Sequence, residues 1–271
     1  MSKSFLRKIA AFVALITAAI SISSCSKNRG DDGNRNDMPN LVIGCDYYAP
    51  FVSSDENGDF IGLDVEIAKE VCKHIGYNPV FKRIKWTQKK LILEKEEIDC
   101  VWGCFPITGR AEEYYCSNPY LKSKQVVAVP SDSDIKRISD LENKVLGVQA
   151  SSKMEDFFTE SADALIPSLK NLLCFGDTDG VFAAMRIGYV DAIAGHEAAI
   201  LEYMKTSSIT MRILDEGIVE VKLGVAFEKG ANAELVNKIN DTFALLSKNG
   251  FTSRLLTKYG LDPDYYLAVE R

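Results

Sequence analysis

Leu63-Asp64-Val65-Glu66-Ile67-Ala68-Lys69-Glu70-Val71-Cys72-Lys73-His74-Ile75-Gly76 is the stretch on which the fold turns. Leu63, Ile67, Val71 and Ile75 recur every four residues, with Ala68 and Cys72 beside them, so one face of a helix is apolar. Asp64 lies near the start and Gly76 closes the run, as helix boundaries do. Upstream, Leu41-Val42-Ile43-Gly44-Cys45 is a short apolar run suited to a buried strand, and Asn57-Gly58 signals a hairpin turn. Downstream, Pro79 to Ile84 reads as a strand, Thr87 to Lys95 as a helix and Ile98 to Trp102 as a buried strand. This β-α-β-α-β rhythm predicts a mostly parallel sheet wrapped by helices.

The rhythm pauses at Gln125–Val129, a strand stopped by Pro130, and at the polar connector Ser131-Asp132-Ser133-Asp134. It then resumes. Strands are predicted over Val145–Val148, Leu172–Phe175, Ala192–Ala194 and Leu223–Phe227, and helices over Ser152–Thr159, Gly180–Ile187, Glu197–Met204, Ala231–Lys248 and Phe251–Tyr259. No repeat of fixed period occurs. Two α/β lobes fit this order: residues 40–128 with 223–271, and residues 129–222. Extended segments near 125–130 and 219–224 would join them, leaving a cleft above a hinge, the usual place for a small ligand.

Ahead of the lobes, Lys3, Arg7 and Lys8 precede an apolar run from Ile9 to Ile22, then Ser23-Ser24-Cys25. A basic start, a short apolar stretch and small residues describe a secretory signal, too short for a comfortable membrane span. Ile22-Ser23-Ser24-Cys25 resembles the bacterial lipobox, which makes residues 1–24 a lipoprotein signal peptide and Cys25 the acylated residue. Residues 25–39, polar and without periodicity, then read as a flexible tether. Two or more acyl chains hold a protein stably on a bilayer, so an extracytoplasmic, lipid-anchored protein is expected.

Composition narrows the function further. The 271 residues carry a net charge of −6, so no basic surplus exists to release counterions from a nucleic acid. Only His74 and His196 occur, and no Cys-x-x-Cys, which argues against a metal site; no cofactor is expected. Beyond Cys25 stand Cys45, Cys72, Cys100, Cys104, Cys116 and Cys174. Their spacing supports no particular pairing: on one strand Cys100 and Cys104 would lie ~13 Å apart, too far to bridge. Most are expected to be buried free thiols.

Several blocks line up in order with a known family. They are Asp46-Tyr47-Tyr48-Ala49-Pro50-Phe51, Phe60-Ile61-Gly62-Leu63-Asp64-Val65-Glu66-Ile67-Ala68, Ile98-Asp99, Ile107-Thr108 and Ser117-Asn118-Pro119-Tyr120. Leu146-Gly147-Val148-Gln149 and Gly188-Tyr189-Val190-Asp191-Ala192 follow in the second half. Over about residues 40 to 265 the chain resembles the bacterial extracellular solute-binding proteins of family 3, the polar amino-acid class. The resemblance implies a type II periplasmic-binding-protein fold whose lobes close on one amino acid. It also implies delivery of that ligand to an ABC permease. A monomer is expected.

The family's pocket carries over onto this sequence with departures. Tyr48 matches the aromatic that packs on the ligand, and Trp86 falls where a large residue covers the opposite face. Gly103, Cys104 and Phe105 occupy the segment whose backbone meets the ligand's ammonium; the usual hydroxyls are missing. Arg110 is the candidate carboxylate clamp, since a guanidinium pairs a carboxylate through two parallel bonds. Its spacing, Thr108-Gly109-Arg110, is one residue shorter than the family's, and counting back from Ser117 puts Ala111 in its place. Ser151 and Ser152, opening a helix, should supply donors from the second lobe. Where the family places an aspartate for the ammonium, this chain has His196; Asp46 and Glu197 are replacement anions. If one of these takes over the ammonium, affinity for an α-amino acid should fall from about pH 8 to 5.5 as His196 charges; if instead the ligand carries less positive charge there, one lacking the amine should bind at least as well.

Two further readings stay open. Some similar proteins are dehydratase-type enzymes acting on cyclic amino-acid precursors, and His196 with Glu197 could supply an acid or base. Similar domains also sense ligands for a separate signalling partner.

Overall fold

The computed structural model describes residues 38–160, 166–216 and 219–268; the signal segment, Cys25 and the tether as far as residue 37 lie outside the described residues. In chain order the first set of elements is β1 (Asn40–Cys45), β2 (Ser53–Ser54), β3 (Phe60–Ile61), α1 (Leu63–Ile75), β4 (Asn78–Arg83), α2 (Lys89–Glu94), β5 (Cys100–Val101) and β6 (Tyr115–Cys116). The second set is β7 (Leu121–Pro130), β8 (Val145–Gln149), α3 (Lys153–Glu160), β9 (Asn171–Phe175), α4 (Thr178–Arg186), β10 (Ala192–His196), α5 (Glu197–Thr206), β11 (Met211–Ile213) and β12 (Val219–Leu223). The chain then returns through β13 (Ala226–Phe227), α6 (Ala233–Lys248), α7 (Phe251–Lys258) and α8 (Pro263–Tyr266).

The decisive helix forms where its pattern puts it. Leu63, Ile67, Val71 and Cys72 are buried, and Gly76, at φ 78°, closes α1 in the left-handed conformation that a side chain would resist. At its other end Gly62 must lack a side chain, because a Cβ there would collide with the Phe51 carbonyl. That close approach lets the Leu63 and Asp64 amides donate to the carbonyls of Pro50 and Phe51, pinning the β1 loop to the helix start.

Two mixed sheets result, in the orders β4-β1-β5-β13-β6 and β11-β7-β10-β8-β9, with β12 also paired to β7. The β-α-β units are parallel as expected, β4-β1-β5 in one sheet and β10-β8-β9 in the other. Antiparallel strands come from the segments that leave or return: β13 and β6 in the first sheet, β7, β11 and β12 in the second. Leu223–Phe227, read as one strand, is split at Gly224-Val225 into the end of β12 and β13, one in each sheet. β7 is also longer than the Gln125–Val129 reading, because Ser123 and Lys124 interrupt the apolar run without interrupting the hydrogen bonds.

Helices cover both faces of each sheet, giving each lobe two cores. Leu63, Ile67 and Val71 meet Ile239, Phe243 and Leu246 of α6 in the first. In the second, Leu146 and Val148 pack with Met154 on one face, while Val181 and Met185 fill the other. All six cysteines among the described residues are free, and Cys45, Cys72, Cys100 and Cys104 are buried as small hydrophobes; Cys174 is exposed. No helix among the described residues is long and apolar enough to cross a membrane.

Candidate functional site

The lobes touch where parallel strands end, the usual ligand position in open α/β sheets. Asp46, Tyr47 and Tyr48 follow β1; Gln149 ends β8 and Ser151 follows it; His196 ends β10 and begins α5. Hydrogen bonds bring the two sides of the cleft together. Thr178 Oγ1 donates to the Tyr47 carbonyl at 3.1 Å, the His196 amide to the Tyr48 hydroxyl at 3.2 Å, and Gln149 Nε2 to Asp46 Oδ2 at 3.3 Å. Lys89 Nζ and Arg110 Nη2 both donate to the Ser151 carbonyl, at 3.0 and 3.4 Å. Between these contacts lies a small cavity lined by Asp46, Tyr48, Trp86, Gly103, Cys104, Pro106, Gln149 and His196.

Six of the sequence-expected residues therefore share one wall: Asp46, Tyr48, Trp86, Gly103, Cys104 and His196. Asp46 is the carboxylate among them. Burial pushes its pKa up, offset by the Tyr47 amide at 2.8 Å and Arg83 at 3.4 Å. Cys104 holds a left-handed backbone, φ 48°, and its amide is taken by Asp64 Oδ2 at 2.5 Å. Asp64 is buried beneath the cleft floor, and burial raises its pKa to about 7.

Phe105 is fully buried and stands behind the cavity rather than on its wall. It supports two neighbours instead: its ring lies 5.8 Å from that of Trp86, and the Arg110 guanidinium stacks over it at 5.0 Å. Arg110 is 5% exposed. Its Nη2 reaches Ser151 and stands 3.6 Å from Asp156, whereas its Nη1 is buried without a partner. The short Thr108-Gly109-Arg110 spacing places the guanidinium with Lys89, Ser151 and Asp156 in a neighbouring pocket, not on the lining of the cleft cavity, although its charge is felt by His196. Ser151 and Ser152 diverge. Ser151 offers its carbonyl to Lys89 and Arg110, while its amide donates to Glu155; the Ser152 hydroxyl accepts from the Glu155 amide and faces a separate cavity in the second lobe.

His196 is held at both ring nitrogens. Gln125 Nε2 donates to Nε2 at 2.9 Å, which leaves the ring proton on Nδ1, 2.8 Å from Ser123 Oγ. Burial, and then the positive charge of Arg110, lower its pKa to about 3. The ring therefore stays neutral across pH 8 to 5.5, and the expected loss of affinity through its charging is corrected. Glu197 is also removed as the replacement anion: its carboxylate pairs with Lys124 at 3.8 Å, outside the cavity lining.

Lys89, Gln149 and Gln125 escaped the sequence reading. Gln149 stood inside a matched block, and Ser123 and Gln125, two apart in an apolar strand, share one face, which was a usable signal. Lys89 lay in a run of charged residues where nothing distinguishes a buried ammonium from a solvated one.

Two α/β sandwiches meeting at their strand ends around a small polar cavity define a two-lobed solute-binding protein. The model for "Bacterial extracellular solute-binding proteins, family 3" matches residues 41–262, and the chain belongs to that family. The chain is 26% identical over 256 residues to the L-cystine-binding protein TcyJ of Escherichia coli, covering 92% of this chain and 94% of that one. It is 27% identical over 237 residues to the histidine-binding periplasmic protein of Escherichia coli, covering 84% and 89%. An ancestral arginine-binding protein bound to arginine superposes with a TM-score of 0.74 at 29% identity, covering 82% of this chain and 98% of that one.

Proposed function

We propose that the chain is a lipid-anchored extracytoplasmic solute-binding protein that takes an amino acid or a related small carboxylate into the cleft and hands it to an ABC permease. Arg110 carries this reading. A buried guanidinium nitrogen without a partner is costly, and a ligand carboxylate is the group that satisfies it. Asp46, on the cavity lining and held there by Gln149, is the anion for an ammonium. The relatives named for cystine and histidine binding support an amino acid as the ligand class.

The dehydratase reading is less well supported. Elimination needs a free acid or base beside the ligand. His196 has both ring nitrogens engaged, and Glu197 is turned to Lys124.

The test is a thermal-shift screen of the full chain against the amino acids and common keto acids. A ligand at a hundred times its dissociation constant adds about 2.7 kcal/mol of stability. A screen without any shift would remove the reading. For the anchor, mass spectrometry of the membrane fraction should find acyl chains on Cys25 and no residues 1–24; an intact Met1 on the mature protein would exclude it.

A further inference from the structure

Tyr48 and Gln149 line not only the cleft cavity but also a second cavity, of similar size, that runs into the second lobe. We propose that this second cavity receives the ligand's side chain and selects an uncharged one ending in an N–H donor. The inference rests on the cleft taking an amino acid and goes on to name which kind.

Three observations carry it. The residues lining the cavity include no Asp, Glu, Lys, Arg or His; neutral polar side chains such as Gln149, Ser152 and Thr178 join apolar ones such as Met154, Val181 and Ile193. A cationic or anionic side chain placed there would lose its water without gaining a counter-charge. Next, Gln125, 1% exposed, lines this cavity, and its Oε1 is buried without a hydrogen-bond partner. Finally, the direction of that amide is fixed. Its nitrogen is committed to His196 Nε2, and the imidazole is held in place by Ser123 at its other nitrogen. His196 lines the cleft cavity and not the second one, so the amide oxygen is the end turned away from the ring. A buried acceptor without a partner is satisfied by an N–H, and neither a hydrocarbon nor an ester can supply one.

Titration calorimetry on the full chain tests this with glutamine, γ-methyl glutamate, methionine, arginine and alanine. Glutamine carries the N–H donor; its methyl ester analogue keeps the carbonyl and the length without it; arginine adds charge. Glutamine is expected to bind at least tenfold more tightly than each of the other four. In Gln125→Met the ratio of glutamine to alanine affinity should fall tenfold or more. Val181→Phe, which fills the cavity and leaves the Gln125–His196 contact alone, should lower the same ratio. Alanine binding as tightly as glutamine, or arginine or the ester binding better, would overturn the inference while leaving the amino-acid reading intact. Binding of none of the five overturns the inference, and the thermal-shift screen then decides the amino-acid reading separately.

Discussion

Lys89 donates across the cleft to the Ser151 carbonyl at 3.0 Å. The same carbonyl accepts from Arg110, on a residue whose φ of 55° is left-handed for a side chain. Two cations of one lobe thus converge on one oxygen of the other, a contact available only when the lobes are together. On the proposed function, ligand affinity would include such contacts, because closure would be a population shift toward the form that makes them.

Replacing Lys89 by Met should therefore weaken ligand binding by ~1–3 kcal/mol, the range for a hydrogen bond from a charged donor. Calorimetric affinities of wild type and Lys89→Met within twofold would show that the contact does not contribute to closure.

Lys89 also leaves a mark on stability. Burial, and then Arg110, lower its pKa to about 8. The unfolded chain holds that proton up to about pH 10.4, so between these values the unfolded state binds more protons and folding stability rises with pH. The penalty is complete below pH 8 and relieved above 10.4. The stability of wild type relative to Lys89→Met should accordingly shift in favour of wild type between pH 7 and 10, by up to ~3 kcal/mol. A pH-independent gap in urea denaturation contradicts this.

For His196 the sign is similar but the window differs. Its pKa in the fold is about 3, below the usual value near 6.5, so stability falls as pH drops through that interval. Ligand affinity should be flat from pH 8 to 5.5, and the His196 imidazole NMR signal should not move over that range. A titrating His196 signal would show that the Ser123–His196–Gln125 chain does not hold the ring neutral.

Arg110→Ala should cost ligand binding ~2–5 kcal/mol, since a carboxylate would enter the cleft without its charged partner. Arg110→Lys should recover only part, because an ammonium cannot make the paired bonds. Calorimetry placing Arg110→Ala within threefold of wild type would mean that another donor holds the carboxylate.

Asp64 tests the cleft floor. Its pKa of about 7 lies above the ordinary carboxyl value, so the folded state retains a proton that the unfolded state has lost between about pH 4 and 7. Stability from this group falls as pH rises through that window. Asn at position 64 keeps an acceptor for the Cys104 amide without the charge. Asp64→Asn should therefore gain on wild type at pH 8 compared with pH 5 in chemical denaturation, and an unchanged difference would refute the buried-charge account.

The decisive helix was legible because its apolar positions, its closing glycine and its flanking strands all point the same way. The wall of the cleft was legible through residues that sit at or just past strand ends: Asp46, Tyr48, Gly103, His196. What sequence could not give was direction. Phe105 follows Cys104 directly, yet the chain turns there, so one faces the cavity and the other is sealed behind it. Ser151 and Ser152 are neighbours that look into different spaces. Lys89 becomes a cleft residue only because its helix start places it against a carbonyl 62 residues away in the chain, and no local pattern encodes that meeting.

The two passages between the lobes are hydrogen-bonded to one another, Leu121 facing Leu223 and Gln125 facing Val219 along β7 and β12. Mechanically this makes a single leaf spring out of two threads. A paired ribbon bends readily across its flat face but resists shear along its length, because sliding would break the register one residue at a time. Lobe motion about such a ribbon would follow essentially one coordinate. A binding event that has to find only one angle loses little orientational freedom, and the two walls meet in the same alignment at every cycle.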